Sequence, residues 1–264
     1  MIALLDSGIG GLTVARSLRV LRPKADLCYL ADVANAPYGT KTDTQLLPLL
    51  SQGIGALLDR GAEKVVLACI TASCLYSRLP AEQRPFVIPI LPFIAESIAA
   101  VEGRVGMIAT EATVQSDALS LSLRRLGCES AVLKNAAQPL VTLAEQGRTD
   151  PEDPLVRDAV MRAISPLVLR GVDTLVLGCT HFPYFEDAIR SVYGGLKILS
   201  PARIASEALI KSLPEKSFSG EGKFIYLVSC RSGRVRTKKK DFKSEETLCQ
   251  SIDAAVSTTP LPRN

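Results

Sequence analysis

Lys64-Val65-Val66-Leu67-Ala68-Cys69-Ile70-Thr71 and Thr174-Leu175-Val176-Leu177-Gly178-Cys179-Thr180-His181 are near-copies of one phrase, an aliphatic run closed by a cysteine. Short runs of β-branched and leucine residues read as buried strands. Cys69 and Cys179 are therefore expected at the carboxyl ends of two strands, the edge where open α/β sheets collect their ligands.

Working outward, similar runs recur at 2–5, 27–31, 86–89, 104–109, 129–133, 196–199 and 223–228, with helical patterns between most of them. That alternation predicts an α/β fold, its mainly parallel sheets flanked by helices. Apolar spacing predicts helices over 111–126 and 155–170, ended by Gly127 and Gly171. Because the cysteine phrase occurs once in each half, two pseudo-symmetric lobes facing a common cleft are expected. Residues 1–92 with 205–264 would form the first lobe, carrying Asp6 and Cys69. Residues 93–204 would form the second, carrying Cys179 and His181. The break falls at Leu91-Pro92-Phe93, and a return crossing near Ser200-Pro201.

At 264 residues the chain can bury a sizeable core, and its 47% hydrophobic and 22% charged residues exclude a disordered class. The net charge of +4 is too small to imply direct nucleic-acid binding. Much of the excess lies in Arg231–Lys240, read as a solvated hairpin or loop, with a partner-binding patch as the alternative. Met1-Ile2-Ala3-Leu4-Leu5 enters a strand directly, without a basic leader or long apolar segment, so a cytoplasmic protein that does not bind membranes is expected. The seven cysteines are odd in number and lack Cys-x-x-Cys spacing, arguing against a disulfide framework and a zinc site. Cys28, Cys128 and Cys249 read as packing residues, the last on a terminal helix.

Asp6-Ser7-Gly8-Ile9-Gly10-Gly11 joins the first strand to a helix starting near Leu12. A dinucleotide fingerprint would need glycine at Thr13, and no Gly-Lys-Ser/Thr follows, which excludes a nucleotide loop. A carboxylate-binding turn and a purely structural turn remain. Asn35-Ala36-Pro37-Tyr38-Gly39 makes a second turn at the same sheet edge. His181, the chain's one histidine, stands two residues after Cys179, where an imidazolium would favour the thiolate. A cysteine-protease or acyltransferase site would use that pair but leave Cys69 unexplained. Two thiols facing one cleft instead suit removal of a proton from one side of a carbon and its return from the other, with no cofactor and no metal.

The motifs together resemble the glutamate racemases of the cofactor-independent aspartate/glutamate racemase superfamily. The matches are Asp6-Ser7-Gly8 with Gly10-Gly11, Pro37-Tyr38-Gly39, Ala68-Cys69 with Thr71-Ala72-Ser73, Thr110 with Thr113 and Ser116, and Gly178-Cys179-Thr180-His181-Phe182-Pro183. The resemblance implies that Cys69 and Cys179 flank the α-carbon of glutamate and exchange the roles of base and acid. It implies Asp6 and Glu145 as supporting groups near the first thiol and His181 near the second. Ser7, Pro37, Tyr38, Gly39, Thr71, Thr110, Thr113, Thr180 and His181 would hold the substrate. His181 favours glutamate over aspartate, because aspartate racemases usually carry glutamate after the Cys-Thr pair. A homodimer supplying D-glutamate for peptidoglycan is the further implication.

Ile70 departs from the pattern, standing where the family has a substrate-contacting asparagine; Gln138, Leu119 and Ser200 replace a common cysteine, tyrosine and aspartate. Ile70 leaves open a slowed glutamate racemase, a racemase of another acidic amino acid, and a homologue of weakened activity with a partner role, for example toward DNA gyrase.

Overall fold

A computed structural model describes residues 1–128, 132–230 and 235–237. These residues form strands β1 (Ile2–Asp6), β2 (Leu27–Ala31), β3 (Lys64–Leu67), β4 (Val87–Pro89), β5 (Val105–Ala109), β6 (Leu133–Ala136), β7 (Thr174–Gly178), β8 (Lys197–Leu199), β9 (Phe224–Ser229) and β10 (Val235–Thr237). The helices are α1 (Leu12–Leu21), α2 (Asp43–Leu58), α3 (Ile70–Ser73), α4 (Leu91–Ala99), α5 (Glu111–Gln115), α6 (Ala118–Arg125), α7 (Gln138–Glu145), α8 (Pro154–Val168), α9 (Glu186–Val192) and α10 (Pro201–Ser212).

The strands make two sheets, ordered β10-β9-β2-β1-β3-β4 and β6-β5-β7-β8. Every pairing is parallel except that of β10 with β9. In the first sheet the chain moves from β1 outward to β2, then back across to β3. In the second it moves from β5 to β6, then back to β7. Each sheet therefore has a point where the strand order reverses and the connecting segments diverge, opening a crevice at the carboxyl ends. The crevices lie beyond β1/β3 and β5/β7, the strands that end next to Asp6, Cys69, Thr110 and Cys179. The duplicated phrase thus occupies equivalent places in the two sheets.

Strand alternation sends Ala3, Leu5, Leu30, Val65 and Leu67 to one face of the first sheet, against Leu46, Leu50, Ile54 and Leu57 of α2. Those helical residues recur at three- and four-residue spacing, and a reciprocal capping box of Thr42 and Gln45 starts the helix. Ile2, Leu4 and Val66 face the other way, into a core shared with α1, α4, α10 and strands β5 and β7 of the second sheet. Fully burying one such leucine contributes roughly 1.5–3 kcal/mol. Ser206 of α10 donates to Val14 O of α1 at 3.2 Å, tying the returning segment back to the first strand's helix.

Two expectations need correction. The helix anticipated over 111–126 is two helices, because Ser116 is extended (φ −73°, ψ 137°) and its Oγ accepts the N–H of Ala118 at 3.2 Å. A serine side chain that captures a nearby amide competes with the helical ladder, which periodicity alone does not reveal. The strand anticipated at 129–133 begins at Leu133, and 129–131 lie outside the described residues. Of the basic stretch, β10 forms the return arm of a hairpin with β9, and 231–234 and 238–240 lie outside the described residues, as does Cys249.

Candidate active site

Cys69 follows β3 and caps α3, and Cys179 directly follows β7; each is 6% exposed. Asp6 ends β1 and is completely buried. Its Oδ1 accepts Gly8 N–H at 2.9 Å and its Oδ2 accepts Thr180 Oγ1 at 3.1 Å, so a residue of the first sheet grips the residue after Cys179. Thr13 Oγ1 adds a bond to Thr180 O at 3.2 Å. The loop between Asp6 and Gly11 is held on two sides: Tyr29 OH donates to Gly8 O at 2.7 Å and Tyr184 OH to Ile9 O at 3.0 Å.

Gly10 leaves no room for a side chain, since a Cβ there would stand 2.6 Å from both His181 Nδ1 and Thr180 Oγ1 and force them to shift. The missing carbon lets the loop lie directly on Thr180 and His181 of the second sheet.

His181 is 3% exposed, with Nδ1 3.6 Å from Cys179 Sγ and Nε2 2.6 Å from Glu145 Oε1. Burial alone would push the imidazolium's pKa down. The hydrogen bonds of Cys179 and Glu145, with the charges of Cys179 and Asp6, outweigh it and hold the pKa up to about 10. Burial likewise acts to raise Glu145, but the bond to His181 and its charge keep that carboxyl below its usual range. Burial lifts the Asp6 carboxyl. Burial first, then the neighbouring Asp6 carboxylate, drives the Cys69 thiol far above its ordinary value. The two sulfurs thus differ in their surroundings: Cys69 faces a carboxylate, and Cys179 faces a cation that can donate to a thiolate.

This placement corrects one expectation. Glu145 bonds to His181 and through it belongs with Cys179. The first thiol keeps Asp6 as its charged neighbour.

Thr71, Thr110 and Thr113 close a triangle of hydroxyls, with Oγ1–Oγ1 distances of 2.9 Å (71 to 110), 3.1 Å (71 to 113) and 3.0 Å (110 to 113). Thr71 follows β3 and the other two follow β5, so this cluster also bridges the two sheets. Ser7, Tyr38 and Gly39 are buried, whereas Pro37 is exposed. Gly39 lies against Thr110, whose Cβ would be 2.6 Å from a Cβ added there. Ile70 packs into the shared core at 1% exposure.

Asp32 escaped the sequence reading, and Asn35 entered it only as part of a turn. Asp32 Oδ2 accepts the Tyr38 hydroxyl at 2.6 Å, and Asn35 Nδ2 donates to both Asp32 oxygens at 2.9 and 3.1 Å. Asp32 stands directly after β2, one place beyond Ala31, the residue that pairs with Asp6 at the end of β1.

The family model for Asp/Glu/hydantoin racemases matches residues 14–209. The chain belongs to the Asp/Glu/hydantoin racemase family. It is an isomerase, an amino-acid racemase. Among the relatives of this racemase, the glutamate racemase of Desulforudis audaxviator is 38% identical over 224 residues, covering 83% of this chain and 81% of its own. The glutamate racemase of Thermus thermophilus, solved in complex with beta-chloro-D-alanine, is 29% identical with a TM-score of 0.75, and 87% of each chain is covered. That of Francisella tularensis, solved with D-glutamate, superposes at a TM-score of 0.80 over 97% of this chain and 93% of its own; at 24% identity it speaks for the fold alone. Among the described residues of this racemase no helix is long and apolar enough to cross a membrane.

Proposed function

We propose that this racemase interconverts L- and D-glutamate by a two-thiol proton exchange at the α-carbon, supplying D-glutamate for peptidoglycan. The observation that carries the reading is the pairing of Cys69 and Cys179 at the reversal points of two sheets joined through Asp6 and Thr180. The likeness to relatives named glutamate racemases supports the choice of substrate.

In this reading Cys179 is the base toward L-glutamate, facing His181 Nδ1 while Glu145 orients the ring through Nε2. Cys69, kept protonated by burial and Asp6, is the proton donor on the opposite side. Removal of the α-proton by Cys179 and delivery of a proton by Cys69 inverts the carbon, and the reverse direction uses the same groups with exchanged roles. A C–H bond is a very weak acid beside a thiol of ordinary pKa near ~8.5, so fixed donors around the developing carbanion must supply much of the rate. Thr71, Thr113, Thr180, Ser7 and the Tyr38–Gly39 loop are the substrate-holding groups in this scheme, and Asp32 positions Tyr38. Residues 1–92 with 205–264 act as one lobe and 93–204 as the other, a division supported by the strand membership of the two sheets. A cytoplasmic homodimer completes the reading.

The test is NMR of the reduced protein with L-glutamate and, separately, L-aspartate in heavy water. Loss of the glutamate α-proton signal that disappears in Cys69→Ala and Cys179→Ala is the expected result. Exchange confined to aspartate, or exchange that persists without either thiol, would overturn the reading.

A further inference from the structure

The loop from Asp6 to Gly11 is soft by composition, with Gly8, Gly10 and Gly11 in it, yet charged neighbours of both thiols depend on its position. Asp6, at its start, is the carboxylate beside Cys69. Gly10 lies on the His181 ring, and a Cβ on Gly8 would collide with Glu145 Oε1. Between those two glycines, the amide of Ile9 hydrogen-bonds to the Glu145 carboxylate. Glu145 is half-exposed, so this second bond keeps its carboxylate aimed at His181 rather than turned to water.

Two tyrosine hydroxyls hold the middle of the loop, and they come from opposite sheets. Tyr29 belongs to β2, in the loop's own sheet, and donates to Gly8 O. Tyr184 follows β7 of the second sheet and donates to Ile9 O at 3.0 Å. It stands in the 3₁₀ turn Phe182–Phe185, where its N–H is bonded to His181 O at 3.2 Å. The Tyr184 side chain is 7% exposed. Burial, then the charges of Asp6 and Glu145, push its hydroxyl pKa well up, so it stays a donor. Because its hydrogen is given to a backbone carbonyl, Tyr184 acts on the reaction through the loop. We infer that Tyr184 is a positioning residue whose hydroxyl locks Ile9 onto the turn that carries His181, holding Glu145, His181 and Asp6 in one arrangement across the two sheets. The inference rests on the two-thiol racemisation of the proposed function. Without this bond the loop's start is still held by Asp6 and Thr180, so the loss falls on turnover more than on substrate binding.

Tyr184→Phe removes the hydroxyl and keeps the ring. Tyr193→Phe is the control, since Tyr193 OH bonds to Ser165 Oγ at 2.7 Å, between the end of α9 and α8. Racemisation of L-glutamate and NMR titration of the single histidine are measured in wild type and both variants. Tyr184→Phe should lower kcat about two- to tenfold and leave KM within about twofold of wild type. The charge of His181 is set by Cys179, Glu145 and Asp6, so a Glu145 freed from Ile9 should move the histidine titration to lower pH. Tyr193→Phe should match wild type in both measurements. Para-aminophenylalanine in place of Tyr184, which restores a donor at the ring's tip, should return both toward wild type. An unmoved histidine in Tyr184→Phe, or equal changes in the two Phe variants, would overturn the inference. A wild-type protein that does not turn over glutamate would instead overturn the proposed function, while the histidine titration still decides whether Tyr184 sets the Glu145–His181 pair.

Discussion

Glu145 Oε1 and His181 Nε2 lie 2.6 Å apart, joining a half-exposed carboxylate on α7 to a buried ring whose other nitrogen faces Cys179. The contact fixes the ring's orientation and makes its charged form the favoured one. With its pKa raised from 6.5 to about 10, His181 lends stability that is complete below the lower value and is lost as pH rises through the higher one.

Glu145→Gln should therefore lower the His181 pKa and bring the alkaline limb of the kcat/KM profile to lower pH. Losing a charge-assisted bond should also reduce kcat/KM by about ten- to a hundredfold near neutrality. NMR titration of the single histidine, alongside the pH–rate profile, checks both. An unmoved histidine would mean that Glu145 does not set its charge.

Asp6 is predicted to restrain the reactivity of Cys69. Iodoacetamide labelling followed by peptide mass spectrometry should find Cys179 modified before Cys69 near neutral pH. In Asp6→Asn the negative neighbour is gone, so Cys69 should be labelled at lower pH than in wild type.

Gly10→Ala should damage activity more than stability. The added methyl group enters the space of His181 and Thr180, and overpacking of this kind typically costs about 1–3 kcal/mol. A displacement of about 1 Å at a catalytic group costs on the order of a hundredfold in rate. Circular dichroism melting and kcat on the same sample separate the two effects.

Ile70→Asn introduces the asparagine that the family resemblance implies at this position but puts an amide into the buried core. An unsatisfied buried amide costs about 1–3 kcal/mol, or roughly 2–12 °C in Tm for a chain of this size. Thermal melting with and without glutamate is the measurement. An unchanged Tm in the free protein would show that the amide finds a partner there.

Both halves of the site were legible because a strand ending in Cys-Ile-Thr or Cys-Thr-His is a local signal, and the parallel-sheet reversal points follow from strand order. Glu145 was misplaced for the opposite reason. It lies on a helix 36 residues before its partner, and nothing in the intervening sequence says which of two thiols that helix will approach. Asp32 was missed although it follows β2 at the sheet edge where Asp6 ends β1, because its role depends on a three-dimensional bond to Tyr38. The kink at Ser116 was hidden by apolar spacing that continues unbroken through it.

Strand β9 pairs with β2, and Tyr226 from it stacks on Tyr29 with ring centroids 5.7 Å apart, beneath the loop that leaves Asp6. On the ribosome this has an order-of-events consequence. The free edge of β2 stays open until residues 224–229 have been made, long after both thiols have emerged. The nascent protein holds Asp6 and both thiols early but completes the floor under the Asp6 loop late, so a chain interrupted before β9 has the site's side chains without the platform beneath them.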